Sequence, residues 1–238
     1  MPNKIHDNII KKAAKEILVP LGMFQKGQSR CWLDDNGWYI IQVEFQPSAW
    51  NKGAYLNVGV SFLWEKSEAL NETLSFDVGY REKGHVEFNG NEDDFYRKML
   101  ELSIHAKERI LDYRKFSDAC FCKQKLVDIA NNNDSFWNNW NIAMFCFLIK
   151  DKDCGRNYLK RIIEANDPRD TDIEWVRKML MKCKELFNSE TDLTQFVIKS
   201  IIQRRRFFSN KKGFKKLKIL QDFYKIDLDG KIISVEKT

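Results

Sequence analysis

The chain has 238 residues, of which 43% are hydrophobic and 31% are charged, and its formal net charge is +6 at pH 7. These values exclude a collagen-like or intrinsically disordered chain and are typical of a globular protein with a sizeable core. No stretch approaches the ~18 apolar residues that span a bilayer, and the first ten residues lack the apolar core of a signal peptide. We therefore expect a cytoplasmic protein without a membrane segment.

The first predicted element is a helix over residues 5–18, because apolar residues recur there at helical spacing and Pro20 and Gly22 follow. Alternating apolar residues then predict strands, with turn signals at Asn36-Gly37 and at Arg81-Glu82-Lys83-Gly84. The predicted strands are Arg30 to Leu33, Trp38 to Gln46, Ala54 to Trp64, Leu74 to Tyr80 and His85 to Phe88. The front half is thus predicted to be a helix packed on an antiparallel meander of about five strands.

Helical spacing dominates the second half, where Asn91, Asp153 and a capping box over residues 171–174 are predicted to begin helices. The predicted helices are Asn91 to Ile110, Ser117 to Ala130, Ser135 to Ile149, Asp153 to the residue before Asn166, Thr171 to Phe187 and Asp192 to Arg206. Asp229-Gly230 between two alternating segments predicts a C-terminal β-hairpin. We expect an α+β protein in which residues 1–115 form a sheet domain and residues 116–238 form a helical bundle with the terminal hairpin, packed on the first as one unit.

Six cysteines are scattered along the chain, at Cys31, Cys120, Cys122, Cys146, Cys154 and Cys183. In a cytosolic chain most should be buried thiols, and their spacing fits no zinc pattern. Residues 225–236 resemble a calcium loop, but its first position is Lys225, whose ammonium would repel the cation. We predict no metal and no cofactor.

One face of the strand pair over residues 39–64 is apolar, and the other face carries polar side chains. These are Gln42, Glu44, Gln46, Asn57 and Ser61, with Ser48 and Trp50 in the connecting loop. If this face is open to water, they simply solvate it. If it is covered, they form a hydrogen-bonding floor for a ligand or a partner's chain. They are our candidate ligand or partner surface.

A basic segment over residues 199–218 holds nine lysines and arginines and no acidic residue. Such a segment could neutralise the phosphates of a nucleic acid, with neighbouring phenylalanines as stacking surfaces. The alternative is a helix end followed by a solvated loop. The candidate contacts are Arg204, Arg205, Arg206, Lys211, Lys212, Lys215 and Lys216.

Three short segments of the front half carry a resemblance to a known family. They are Leu21-Gly22-Met23-Phe24-Gln25-Lys26-Gly27, Phe45-Gln46-Pro47-Ser48 and Leu56-Asn57-Val58-Gly59. In order and spacing they resemble the N-terminal signature of the bacterial family called domain of unknown function 4304. The resemblance implies a bacterial cytoplasmic protein with an α+β fold and transfers no catalytic residue. By it, Gln46, Ser48 and Asn57 match the polar positions of the signature.

The chain lacks the usual catalytic signatures, namely a nucleophile elbow, a zinc-protease helix motif, a phosphate-binding glycine-rich loop and a kinase catalytic loop. We therefore predict a non-enzymatic module that binds a protein partner, a class that includes antitoxins and immunity proteins. Two alternatives stay open: a nucleic-acid-binding protein that uses the basic segment, and a small-molecule enzyme with its site on the polar sheet face.

Overall fold

The computed structural model describes residues 5–66, 73–166, 172–211 and 213–214, and the backbone of residues 225–226 and 232–233. Its contacts divide the chain into two compact units. The sheet unit comprises residues 1–61, 78–114 and 210–217, and the helical unit comprises residues 62–77, 115–209 and 218–238. In the part of the chain described, we find no helix that is both long and apolar enough to cross a bilayer.

Among its described residues, the sheet unit contains two helices and an antiparallel sheet of five strands in the order β1-β2-β3-β4-β5. The strands are β1 (Phe24–Gln25), β2 (Cys31–Asp35), β3 (Tyr39–Gln46), β4 (Gly53–Phe62) and β5 (Val78–Glu87), and the helices are α1 (Ile5–Leu18) and α2 (Glu92–Arg114). Val43 and Val58 are fully buried, which confirms the predicted apolar face. With the helices that follow, this sheet confirms the predicted α+β class.

Two predicted strands are wrong in detail. The hairpin predicted over residues 74–88 is one continuous strand, β5, because Arg81 and Lys83 pair with β4 instead of turning. Two register shifts between Ala54 and Asn57 absorb the irregularity. The fifth strand of the sheet is instead β1, which pairs with β2 through Phe24 and Leu33. A two-residue strand is too short for an alternating pattern to reveal it.

The helical unit contains five helices among its described residues. They are α3 (Ala119–Asn132), α4 (Phe136–Leu148), α5 (Lys152–Ala165), α6 (Glu174–Asn188) and α7 (Thr194–Ser209). Every residue of α4 from Asn139 to Leu148 is buried, which confirms its predicted central place. The strands β6 (Lys225–Ile226) and β7 (Ile232–Ile233) pair antiparallel, while the predicted turn at Asp229-Gly230 lies outside the described residues.

Helix starts follow the predicted caps in part. Asn91 Oδ1 accepts a hydrogen bond from the Asp94 amide at 3.0 Å, as predicted for the N-cap of α2. The cap of α5 is Asp151, two residues before the predicted Asp153, and it accepts from the Cys154 amide. The predicted capping box of α6 begins at Thr171, outside the described residues, and the observed N-cap, Ile173, has no side-chain cap.

Candidate functional site

A network of polar side chains joins β3, β4 and β5 in the sheet unit. At its centre, the Asn57 side-chain nitrogen donates to Glu44 Oε2 and to Gln46 Oε1, both at 2.9 Å. Arg81 completes the network from β5: its Nε lies 2.8 Å from Asn57 Oδ1, and its Nη2 lies 2.8 Å from Gln46 Oε1. Asn57 is fully buried, so these bonds satisfy an amide that would otherwise be costly to bury.

Only some of the residues of the predicted polar surface are accessible to solvent. Gln42, Asn57 and Ser61 are 5%, 0% and 0% exposed, whereas Glu44, Gln46 and Ser48 are half-buried and Trp50 is 92% exposed. Within the described part of the chain, the Ser61 hydroxyl finds no hydrogen-bond partner. Of the two alternatives, a face open to water therefore does not describe Gln42, Asn57 and Ser61, and the side-chain amide of Asn57 is hydrogen-bonded to neighbouring side chains.

The loop between β3 and β4 presents the most exposed tryptophan side chain of the described residues. Ser48 Oγ accepts hydrogen bonds from the amides of Trp50 and Asn51, at 3.1 and 3.3 Å, and this turn fixes the local backbone. The loop ends beside β5, because the Phe88 amide donates to the Lys52 carbonyl at 2.9 Å and Gly53 pairs with Glu87. Trp50 therefore belongs to a loop anchored next to the end of β5.

β5 forms one edge of the sheet, and no other strand pairs with its outer side in the described ranges. Six of its ten residues are exposed: Gly79, Tyr80, Arg81, Lys83, Gly84 and Glu87. The Arg81 guanidinium lies 4.0 Å from the ring centroid of Tyr55 and 5.5 Å from that of Tyr80, which holds it flat against two aromatic rings. We call the exposed strand β5 together with Trp50 the edge surface.

An ion pair and a histidine contact join Glu82 of β5 to α2. Glu82 accepts from Arg109 Nε at 3.0 Å and lies 3.3 Å from His105 Nε2. Burial by itself lowers the pKa of Arg109, but its bonds to Glu82 and Tyr113 outweigh burial, so the net shift of this pKa is upward. These contacts hold the middle of β5 against α2.

The basic segment contributes less exposed charge than its sequence suggests. Arg204 and Arg205 are 4% and 1% exposed. Arg204 donates to the carbonyls of Phe62, Trp64 and Thr73 at 2.8 to 3.1 Å, so it stabilises backbone of the helical unit. Of the other candidates, Arg206 is exposed and Lys211 is half-buried, while Lys212, Lys215 and Lys216 lie outside the described residues.

A cleft of about 420 Å³ lies in the helical unit. Its lining includes three lysines, each of which has a carboxylate partner: Lys66 with Asp77, Lys178 with Glu174, and Lys182 with Glu65. Burial lowers the pKa of Lys66, and Asp77 opposes that shift. Since these three lysines are already paired with carboxylates, none of the lysines that line the cleft in the described ranges is left to select an anionic ligand.

Comparisons of the chain with models of protein families, with curated proteins and with solved structures found no significant match. The site therefore rests on its geometry alone. Sequence reasoning found Gln46 and Asn57 through strand alternation and Trp50 through its place in the connecting loop, but it missed Tyr80 and Arg81. The sequence predicts Arg81 to lie in a turn. The one feature that argues against this turn is that it lacks an Asn-Gly or Asp-Gly pair.

Proposed function

We propose that this protein is a non-enzymatic interaction module that binds an extended segment of a partner protein along the outer side of β5. The observation that carries the proposal is a ten-residue edge strand with six exposed residues. Such an edge offers a row of backbone donors and acceptors, and adding a strand to it is a common mode of peptide recognition.

The residues around this edge are of the types that anchor protein interfaces. Tryptophan, tyrosine and arginine dominate binding energy at interfaces, and the edge surface presents Trp50, Tyr80 and Arg81. Because Arg81 is already held by Asn57 and Gln46, it loses little side-chain entropy when a partner binds. The buried network thus acts as a support for the binding surface.

Charge indicates the chemistry of the partner segment. Arg81 and Lys83 are exposed on β5, and the described partners of the Arg81 guanidinium are amide oxygens and aromatic rings. Glu82, the carboxylate between them, is engaged by Arg109. A segment with carboxylates opposite Arg81 and Lys83 would complement this edge. Lys83 also discourages edge-to-edge pairing with a second copy of this chain.

We also propose membership of the family called domain of unknown function 4304. The support is the order of the three signature segments. Two of the matching polar residues, Gln46 and Asn57, hold Arg81. If the chain belongs to this family, the signature residues Gln46 and Asn57 would be the ones that position Arg81 at the edge surface.

Panning a library of displayed random peptides against the full chain tests the proposed function. We expect the enriched peptides to alternate apolar and acidic residues. Trp50→Ala and Lys83→Glu should each weaken their binding about tenfold. The matched controls are Trp175→Ala, an exposed tryptophan of α6, and Lys160→Glu, an exposed lysine of α5, and both should bind like the wild type. Equal binding by all four variants would refute the proposal.

Nucleic-acid binding by the basic segment is the alternative proposal. It predicts that a single-stranded oligonucleotide binds the chain with an affinity that falls steeply as salt rises. Replacing Arg206 and Lys211 with alanine should then weaken that binding. If the oligonucleotide does not bind at low salt, the alternative is excluded.

A further inference from the structure

Two thiols of the helical unit lie against each other. The Sγ atoms of Cys146, near the end of α4, and Cys154, in the first turn of α5, are 3.1 Å apart. A disulfide needs about 2.05 Å between its sulfurs, so a shift of roughly 1 Å would close the bond. The two helices are joined by a tight turn in which Lys150 has a φ of 64°. The cysteines are therefore positioned for a short-range reaction with each other.

The surroundings of the pair distinguish the two thiols. Cys146 is fully buried, whereas Cys154 is half-exposed. The hydrogen bond from Cys146, followed by the nearby positive charges of Lys123 and Arg161, lowers the pKa of Cys154 to about 7, against the opposing effects of burial and Asp151. The hydrogen bond to Cys154 and burial raise the pKa of Cys146. The half-exposed sulfur of Cys154 is thus the nucleophile, and the buried sulfur of Cys146 lies close enough to react with it next.

The other charged and titratable groups around the pair favour an anion over a cation. Lys123 of α3 has its Nζ 2.5 Å from Asp151 Oδ2, so the carboxylate of Asp151, which lies near the sulfurs, is already paired with a positive charge. The N-terminus of α5 adds a positive partial charge at Cys154. Tyr158 lies on the same helix, and burial raises the pKa of its hydroxyl, so this group stays neutral. Although the ligating atoms of Cys146, Asp151 and Cys154 lie within 4.8 Å of one another, this field opposes a metal ion.

We propose that Cys154 and Cys146 form a redox-active pair that is oxidised by hydrogen peroxide. The Cys154 thiolate attacks one peroxide oxygen, the O–O bond breaks, and the released hydroxide takes up a proton to become water. The Cys146 sulfur then attacks the sulfenic sulfur of Cys154, so that an S–S bond forms and the S–O bond breaks. The leaving hydroxide takes the Cys146 proton as water. Two thiols and one hydrogen peroxide thus give one disulfide and two waters.

The remaining cysteines supply the contrast for this reaction. Burial raises the pKa of Cys31 and of Cys183 to about 12, and it raises that of Cys122 as well, so these three thiols are poor nucleophiles. Cys120 is exposed on α3, and among the described residues no other cysteine sulfur lies in contact with its own. It can be oxidised, but it cannot form the same intramolecular bond.

The test is a titration of the reduced full chain with hydrogen peroxide at neutral pH, followed by peptide mapping in denaturant. We expect a disulfide between Cys146 and Cys154, reversed by dithiothreitol, before any other cysteine is modified. In Cys146→Ala, dimedone should trap a sulfenic acid on Cys154. Cys154→Ser should slow thiol oxidation by about tenfold, whereas Cys120→Ser should not change the rate.

Two outcomes overturn the proposal. One is that hydrogen peroxide oxidises Cys120 before Cys154 and Cys146, or that it forms no disulfide between them. Both are measured on the wild type, so they do not depend on whether a variant folds. The other is stoichiometric binding of zinc to the reduced chain that either cysteine variant abolishes, which would assign the pair to a metal site instead.

Discussion

Asn57 is the residue on which the polar network depends, because it alone bonds to Glu44, Gln46 and Arg81. In Asn57→Ala these partners lose a buried donor and acceptor. We expect the free energy of unfolding to fall by about 1–3 kcal/mol, as measured by urea denaturation. The matched control is Asn51→Ala in the exposed loop, which should change stability by less than about 0.5 kcal/mol. Equal effects of the two substitutions would mean that the network contributes no stability.

Gly79 is required at its position on β5 for two reasons. Its φ is 75°, and an added Cβ would lie 2.0 Å from the Tyr113 hydroxyl and 2.7 Å from the Val58 carbonyl oxygen. We expect Gly79→Ala to lower the melting temperature and to lower stability by roughly 1–3 kcal/mol. Gly84→Ala, on the same strand with open space around it, is the control and should change stability by less than about 0.5 kcal/mol. A tolerated Gly79→Ala would show that α2 does not approach β5 this closely.

For single residues, the sequence predicts the face of the sheet on which a side chain lies better than it predicts the exposure of that side chain. Alternation places Glu44 and Asn57 on the polar face of the strand pair, yet Glu44 is half-buried and Asn57 is fully buried. A period of two assigns a side chain to a face of the sheet but does not reveal what lies over that face. Arg204 shows the same limit, since a basic run gives no sign that one of its guanidiniums binds three backbone carbonyls.

Among the elements, α1 is joined to the residue directly before β2 by an ion pair that depends on pH. Arg30 Nε lies 2.6 Å from Asp7 Oδ1, and Lys11 Nζ lies 2.7 Å from Asp7 Oδ2. Burial raises the pKa of the Asp7 carboxyl, but the bonds to Lys11 and Arg30 outweigh burial and leave it below its ordinary value of 3.8. The unfolded state therefore binds more protons in acid, and the stabilisation is complete above that ordinary pKa and lost as pH falls through the lowered one.

We expect Asp7→Asn to remove part of the stability difference between about pH 5 and about pH 2, measured by denaturant unfolding at each pH. At pH 5 the variant should be less stable than the wild type, and at pH 2 the two should converge. Asp93→Asn, at an exposed position of α2, is the control and should keep the wild-type pH dependence. Parallel pH profiles for the wild type and Asp7→Asn would contradict this account.

Element prediction succeeds where a pattern is long and fails where it is short. The stripe that predicts the helix over residues 5–18 spans several turns, and the structure confirms it as α1. β1 has two residues and leaves no periodic signal. The interior of β5 has the composition of a turn because of its charged side chains and Gly84, but Arg81 has partners on β3 and β4, and Glu82 has a partner on α2.

For the whole molecule, the net charge of +6 and the exposed Arg81 and Lys83 favour an acidic partner. Salt shortens the Debye length from about 10 Å at 0.1 M to about 3 Å at 1 M. We expect the affinity for an acidic strand-forming peptide to fall several-fold over that range, as measured by calorimetry. Lys83→Glu should flatten this dependence, whereas Lys160→Glu should not. A salt-independent affinity would mean that backbone and aromatic contacts alone select the partner.

The central claim is that β5 accepts an extended strand, and amide hydrogen exchange tests it most directly. Exchange would be followed on the full chain with and without an acidic peptide enriched by panning. We predict new protection over residues 78–87, with no change over residues 174–182, which line the cleft of the helical unit. Protection confined to residues 174–182, or no protection of β5 at saturating peptide, would contradict the account.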